Sequence, residues 1–263
     1  MSGLLPTRMV ERPWGRTSLP APFVAPPGQK IGEIWFEPPA ALDALLVKYI
    51  FTSEALSVQV HPSDAQAPEG HRGKEECWLV LNAEPGAKLG IGFDRAISAD
   101  EMRAAALDGS IEGLLTWHPV AAGDFFYIPA GTVHAIGAGI ALIEVQQNSD
   151  ITYRLYDYGR PRELHLEAGM AVAHGASYPP RLHRHVPEGG AMTLVDGPHF
   201  RLDRLDGAPD AETEARYVGK LLVIPLDEGS TVAGQPVKAG ECALADSLDA
   251  VSVSGRCLIS QPA

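Results

Sequence analysis

Between Leu56 and Leu81 the chain reads LSVQVHPSDAQAPEGHRGKEECWLVL, and four of its polar side chains stand at spacings that chemistry can use. Gln59 and His61 are separated by one residue, and so are Lys74 and Glu76. In an extended strand alternate residues share a face, so each pair points one way. Ser57, Gln59 and His61 form one face of the first run, opposite Leu56, Val58 and Val60. On the second run Lys74, Glu76 and Trp78 oppose Glu75, Cys77 and Leu79. Pairing the two strands with their apolar faces aligned is expected to bring Gln59, His61, Lys74 and Glu76 into one pocket. An amide oxygen, an imidazole, a carboxylate and an ammonium together suit a metal site with a working lysine beside it.

The elements that must position these groups are mainly strands. A chain of 263 residues with 45% hydrophobic content can bury a large core in one broad domain or two joined halves. The first part, to about Pro39, reads as extended pieces and turns, with a short apolar run at Ile31 to Phe36. Leu42 to Phe51 reads as a buried strand, Ala87 to Phe93 as another. Ser98 and Glu101 form an S-x-x-E capping box ahead of Met102, Ala105 and Ala106, so a short helix is expected over 98–107. A second short helix is expected over 110–115, followed by strands at 124–128, 133–136, 140–147 and 152–158. From Pro161 to Gly190 the polar, interrupted sequence reads as a connection. Strand-like pieces then resume at 192–195, 200–205, 220–225, 231–232, 242–245 and 250–253.

Composition excludes several classes of function. A formal net charge of -12 without a concentrated basic patch argues against tracking a phosphate backbone, so no nucleic-acid partner is expected. A small anionic substrate remains compatible, because one or two well-placed cations suffice. No window is apolar enough to span a bilayer, and MSGLLPTRMVERPWG lacks the pattern of a secretion signal, so a cytoplasmic protein without a membrane partner is expected. The three cysteines, Cys77, Cys242 and Cys257, lack CxxC spacing and read as reduced thiols. Cys77 adjoins Glu76 but points to the other strand face, which argues against a ligand role.

Gly123 to His134, GDFFYIPAGTVH, has the spacing G-x5-P-x-G-x2-H, which resembles the second sequence motif of the cupin barrels. Pro129 and Gly131 make the bend that presents His134 at the barrel mouth. The motif departs afterwards, where Ala138 stands in place of an expected Asn. The first cupin motif departs too, with Gln59-x-His61 in place of His-x-His and Glu76 much further on. That departure resembles the type I mannose-6-phosphate isomerases in their short bacterial form. LSVQVHPSD (Leu56 to Asp64), GKEECW (Gly73 to Trp78), IPAGTVHAIGAG (Ile128 to Gly139) and EVQQNSDITYRLYDYGR (Glu144 to Arg160) carry the resemblance. It covers roughly residues 10–165 well and the remainder weakly.

The resemblance implies cupin jelly-roll barrels, bicupin-like, with a helical insert at about 98–116. The expected division is a metal-binding domain over 1–162, a connection over 163–190 and a degenerate cupin-like β domain over 191–263. Family zinc ligands fall on Gln59, His61, Glu76 and His134, implying one Zn2+ per chain or another divalent metal. The implied reaction interconverts mannose 6-phosphate and fructose 6-phosphate through a cis-enediol. Lys74 and Glu144 match proton-handling positions, in an order that stays open. Arg154 matches an active-site arginine that suits either the phosphate or the enediolate. Gly73 stands where longer members carry a histidine, so a mechanism relying on that imidazole does not carry over.

Two alternatives stand beside this reading: an iron-dependent cupin oxidoreductase, and a non-catalytic cupin that binds a sugar phosphate. The Gln59, His61, Glu76 and His134 set with Lys74 beside it argues against the first, and intact Lys74, Glu144 and Arg154 argue against the second. His183-x-His185 with Glu188 is a rival ligand pattern, set among prolines and glycines as in an exposed linker. His71, in the loop before Lys74, reads as a solvent-exposed side chain.

Overall fold

Runs of β-branched and aromatic residues become strands along most of the chain, and the Gly- and Pro-rich pieces link them. The computed structural model describes residues 2–263. Its first strands are β1 (Gly3–Leu4), β2 (Thr7–Arg16), β3 (Ile31–Phe36), β4 (Leu45–Phe51), β5 (Val58–Val60), β6 (Glu76–Ala83) and β7 (Lys88–Phe93). Helix α1 (Ala99–Asp108) precedes β8 (Leu115–Pro119), β9 (Asp124–Ile128), β10 (His134–Ile136), β11 (Ile140–Gln147) and β12 (Tyr153–Tyr156). Helix α2 (Leu166–Val172) leads to β13 (His183–His185). Beyond it lie β14 (Met192–Asp196), β15 (Phe200–Asp206), helix α3 (Ala211–Arg216) and β16 (Leu221–Pro225). The last strands are β17 (Ser230–Val232), β18 (Gln235–Val237), β19 (Ala243–Ala245), β20 (Val251–Val253) and β21 (Arg256–Pro262).

These strands form layers. A five-stranded sheet, β12-β5-β10-β7-β8, faces a seven-stranded sheet, β13-β9-β6-β11-β4-β3-β2. Behind the seven-stranded sheet lies a six-stranded one, β1-β19-β16-β21-β15-β14, and then the small sheet β18-β17-β20. Period-two alternation sends each strand's side chains to two different cores. On the seven-stranded sheet Ile50, Trp78, Val80, Phe126 and Leu142 meet Leu89, Ile91 and Ile136 from the five-stranded sheet. The opposite face, with Val47, Tyr49, Phe51, Leu79, Ile143 and Val145, packs on Phe200, Leu202, Leu222, Ile224 and Leu258. The outer face of the five-stranded sheet is covered by helix residues including Met102, Ala105, Ala106 and Val172. The architecture is mainly β and of the cupin jelly-roll type. Among the described residues no helix is long and apolar enough to cross a membrane.

Two features of the central stretch differ from the alternation pattern. Strands β5 and β6 do not pair: β5 bonds to β10 and β12, and β6 to β9 and β11. The two polar faces therefore meet across the interior between opposed sheets, which converges the same side chains without edge pairing. Leu56 precedes β5 and packs in the interior core with Trp14 and Ile50, apart from the core of Val58 and Val60.

Segment 161–190 carries more structure than its polarity suggests. Leu166, Met170 and Val172 turn α2 toward the core beneath the five-stranded sheet. His183–His185 pairs with β9 as an edge strand, so it is no exposed linker. Helix α1 begins as its capping box dictates, with Ser98 Oγ accepting from the Glu101 N–H at 3.1 Å, and Gly109 at φ 83° ends it. Residues 110–114 form a 3-10 turn.

Candidate active site

Strand register places the functional side chains in rows. On the five-stranded sheet Arg154 lies opposite Gln59, and Gln59 opposite His134. On the seven-stranded sheet Lys48 lies opposite Glu144, and Glu144 opposite Trp78. Gln146 lies opposite Glu76. Because these rows face each other across the interior, residues far apart in sequence share one small volume.

His61, Glu76 and His134 are buried, and their ligand atoms all lie within 4.8 Å of one another. His61 Nε2 is 3.6 Å from Glu76 Oε2, and His134 Nε2 is 3.4 Å from Glu76 Oε1. Each imidazole is oriented by its far nitrogen: His61 Nδ1 donates to the Ile151 carbonyl at 2.8 Å and His134 Nδ1 to the Thr132 carbonyl at 2.9 Å. With the Nδ1 protons so engaged, both Nε2 lone pairs point inward, as a metal-ligand tautomer requires. Burial holds both imidazoles neutral: His61 lies well below the usual histidine value and His134 falls to about 4. Gly131, at φ 81°, makes the bend before His134, where an added Cβ would lie 2.5 Å from the His174 ring.

Gln59 completes the set. Its amide faces His134 Nε2 at 3.3 Å, and Ser57 Oγ donates to its Oε1 at 3.0 Å. A half-turn of the amide exchanges its oxygen and nitrogen and presents the oxygen as a ligand. Neither Glu76 oxygen accepts an aligned hydrogen bond, although Lys74 Nζ lies 2.8 Å from Oε2 as an ion pair. Desolvation, with the Glu144 charge beside it, raises the Glu76 carboxyl to about 7 even though the Lys74 and Lys48 ammonium groups pull it down. Two inward imidazoles, an under-satisfied carboxylate and an amide fit a divalent cation. Among the described residues, these two histidines and Glu76 are the only such His/Cys/Asp/Glu group.

Lys74 lies 3.1 Å from His61 Nε2, at the edge of the ligand set. Burial opposes its charge, yet the Glu76 and Glu144 carboxylates hold the ammonium above its usual range. Glu144 is opposed by burial too, but Lys48 and Lys74 keep its carboxyl down at about 2. Its Oε1 accepts from Lys48 Nζ at 3.0 Å and its Oε2 from Trp78 Nε1 at 3.0 Å. Lys48 also donates to Gln146 Oε1 at 2.6 Å and lies over the Trp35 ring, 4.5 Å from its centroid.

Lys48 escaped the motif reading, and Trp78 and Gln146, although inside the quoted motifs, were given no role in the site. A lone lysine inside LLVKYIF, otherwise apolar, was the signal available, since a buried ammonium demands a partner.

The site opens into a cleft of about 600 Å³ whose walls include Arg12, Trp35, Lys48, Gln59, Lys74 and Arg154. Asp157 is taken by Arg160 and Arg162, at 3.0 and 2.6 Å. Arg12 is taken by Glu33 at 2.7 Å. Arg154 makes no ion pair among the described residues, and its Nη1 reaches only the Glu163 carbonyl at 3.4 Å. The other sequence candidates lie elsewhere. His183 stacks on Phe126 at 4.1 Å, and His185 Nδ1 bonds Asp124 at 3.0 Å. Cys77 is buried on the rear face with Sγ on the Val145 carbonyl, and His71 is exposed.

Two opposed sheets that hold two histidines, a glutamate and a glutamine in their interior define a cupin-type metal-binding protein. A mannose-6-phosphate isomerase of Bacillus subtilis is 36% identical over 212 residues, which are 75% of this chain and 67% of that protein. The chain belongs to the mannose-6-phosphate isomerase family. A Streptococcus mutans mannose-6-phosphate isomerase is 48% identical over 136 residues, 49% of this chain and 43% of that protein. The aligned stretches thus span from 43% to 67% of these curated relatives. The crystal structure of the mannose 6-phosphate isomerase from Bacillus subtilis superposes with a TM-score of 0.77 at 26% identity, covering 98% of each chain. A zinc-bound mannose 6-phosphate isomerase shares the fold with a TM-score of 0.72 at 15% identity, covering 99% of each chain. No protein-family model matches the chain.

Proposed function

We propose that this chain is a metal-dependent aldose–ketose isomerase that interconverts mannose 6-phosphate and fructose 6-phosphate. The observation that carries the reading is the His61–Glu76–His134 donor set with an ammonium and an ionised carboxylate beside it. Gln59, His61, Glu76 and His134 would hold one Zn2+, for which nitrogen and oxygen donors are suited. Bound there, the ion would orient the sugar oxygens and stabilise negative charge on them.

The chain's own groups supply the proton transfers. Glu144, ionised at rest, accepts the proton from C2 of the open-chain aldose. Lys74, protonated at rest, donates to the oxygen on C1 as the cis-enediol forms. Lys74 then recovers a proton from the oxygen on C2, and Glu144 returns its proton to C1, which leaves the ketose. Arg154 stands on the same cleft wall without a carboxylate partner among the described residues, a guanidinium that suits the substrate phosphate. Burial of Lys74 and Glu144 keeps water away from the transferring protons and strengthens each charge contact.

Nuclear magnetic resonance of mannose 6-phosphate in deuterated water tests this. The expected result is fructose 6-phosphate formation with deuterium appearing at C1 or C2. Tight binding of the sugar phosphate with neither turnover nor exchange would overturn the isomerase reading in favour of a sensor.

A further inference from the structure

We propose that Asp64 and His199 are positioning residues for Lys74, so that the C-terminal sheet acts on the site through the turn between β14 and β15. The proposal rests on the role given to Lys74 above. Lys74 sits in the link between β5 and β6, outside either strand, yet its backbone is pinned at three successive amides. The Gly73 N–H donates to Asp64 Oδ1 at 2.7 Å, the Lys74 N–H to the Pro62 carbonyl at 2.9 Å, and the Glu75 N–H to Gln147 Oε1 at 2.9 Å. Gln147 Nε2 donates back to the same Asp64 Oδ1 at 3.0 Å, which joins the two outer anchors into one unit.

The link is drawn so tight that a Cβ on Gly73 would lie 2.4 Å from the Asp64 nitrogen. Asp64 therefore fixes the peptide on one side of Lys74 and, through Gln147, the peptide on the other. The C-terminal sheet completes the arrangement. His199 Nδ1 lies 3.4 Å from Asp64 Oδ2, and its Nε2 lies 3.7 Å from Glu75 Oε1. Tyr127 OH donates to the other Glu75 oxygen. In the same turn, a Cβ on Gly197 would lie 3.2 Å from that hydroxyl. One imidazole from the distant half thus spans carboxylates on both sides of Lys74. Its residue lies between β14 and β15, whose sheet lends no side chain to the cleft walls among the described residues, so His199 acts on the site only through Asp64 and Glu75. A displacement of about 1 Å at a reacting group can cost on the order of 100-fold in rate, so a clamp of this kind has kinetic consequences.

The test uses the full chain, wild type and as Asp64→Ala, Asp64→Asn and His199→Ala. Asn retains an oxygen for the Gly73 and Gln147 N–H groups, whereas Ala does not. We expect Asp64→Ala to lower kcat about 10- to 100-fold with KM within about twofold and zinc content unchanged. Asp64→Asn should recover most of that loss, and His199→Ala should lower kcat several-fold. Amide hydrogen exchange over residues 62–75 should quicken in Asp64→Ala and His199→Ala, with the seven-stranded sheet unaffected. Unchanged exchange and unchanged kcat in His199→Ala would overturn the proposal. So would parallel loss of kcat and zinc in Asp64→Ala without recovery in Asp64→Asn, since that marks a role in stability alone. The exchange readout stands independently of substrate: a wild-type chain without isomerase activity refutes the functional reading, while exchange still decides whether the clamp exists.

Discussion

Lys48→Met is the perturbation that most sharply separates Glu144 as a proton acceptor from Glu144 as a structural anion. Lys48 Nζ lies 3.0 Å from Glu144 Oε1, and both side chains are almost fully buried. At an effective dielectric of ~20, a unit pair at that separation is worth ~5 kcal/mol, or ~4 pKa units. Burial pushes the Glu144 carboxyl upward, and Lys48 contributes most among the groups that hold it down at about 2. Removing Lys48 while Lys74 remains should raise the Glu144 carboxyl well above that value, because burial is then opposed by one ammonium fewer. The direction follows from the charge: a carboxyl with a raised pKa loses its negative charge at higher pH. Followed from about pH 4 to 9 at saturating zinc, kcat of Lys48→Met should therefore acquire an acid limb that Glu144, at about 2, does not impose on the wild type, with a plateau retained on the alkaline side. Methionine matches the lysine stem in length and leaves the packing against Trp35 largely in place. Absence of a new acid limb in a folded and zinc-loaded Lys48→Met protein would refute Glu144 as the acceptor.

Other outcomes follow from the same geometry. Gly73→Ala should slow turnover by about tenfold or more and lower the melting temperature, because its Cβ would sit 2.4 Å from Asp64 backbone; normal kinetics would contradict the close approach. Arg154→Ala should raise KM about 10- to 100-fold in steady-state assays, the cost of one hydrogen-bonded charge contact, and weaken competitive inhibition by inorganic phosphate. A fall in kcat at unchanged KM would instead place the guanidinium on the enediolate.

Much of the site was legible because a strand's period of two is local information. Gln59 in β5 and Glu76 in β6 keep their faces whichever sheets the strands join, and His61 and Lys74 stand just beyond the strand ends, so the gathering was readable although the pairing was not. The opposition of β5 and β6 depends on the partners β10, β12, β9 and β11, which lie up to 98 residues away in sequence (Tyr156 from Val58) and leave no local trace. Lys48 was missed for a related reason: its worth lies in Glu144 and Trp35, its cross-strand neighbours in the assembled sheet. Helix α1 was legible from its capping box, whereas α2 lies among charged and small residues, and its apolar stripe matters only against the five-stranded sheet. The reach of His199 to Asp64 and Glu75 was hidden altogether, because it joins two sheets through a turn. Asp157 shows the same limit on a small scale, since it could pair with any nearby arginine until the fold gave it to Arg160 and Arg162.

The central claim is that the interior donor set holds a metal on which isomerisation depends. The most direct measurement is the initial rate of fructose 6-phosphate formation from mannose 6-phosphate, before and after chelation and on return of Zn2+. The account predicts turnover that chelation abolishes and stoichiometric Zn2+ restores, and that stays lost in a folded His134→Ala protein at the same zinc concentration. Turnover that persists in chelator, or its absence from a folded and zinc-loaded chain, would contradict it.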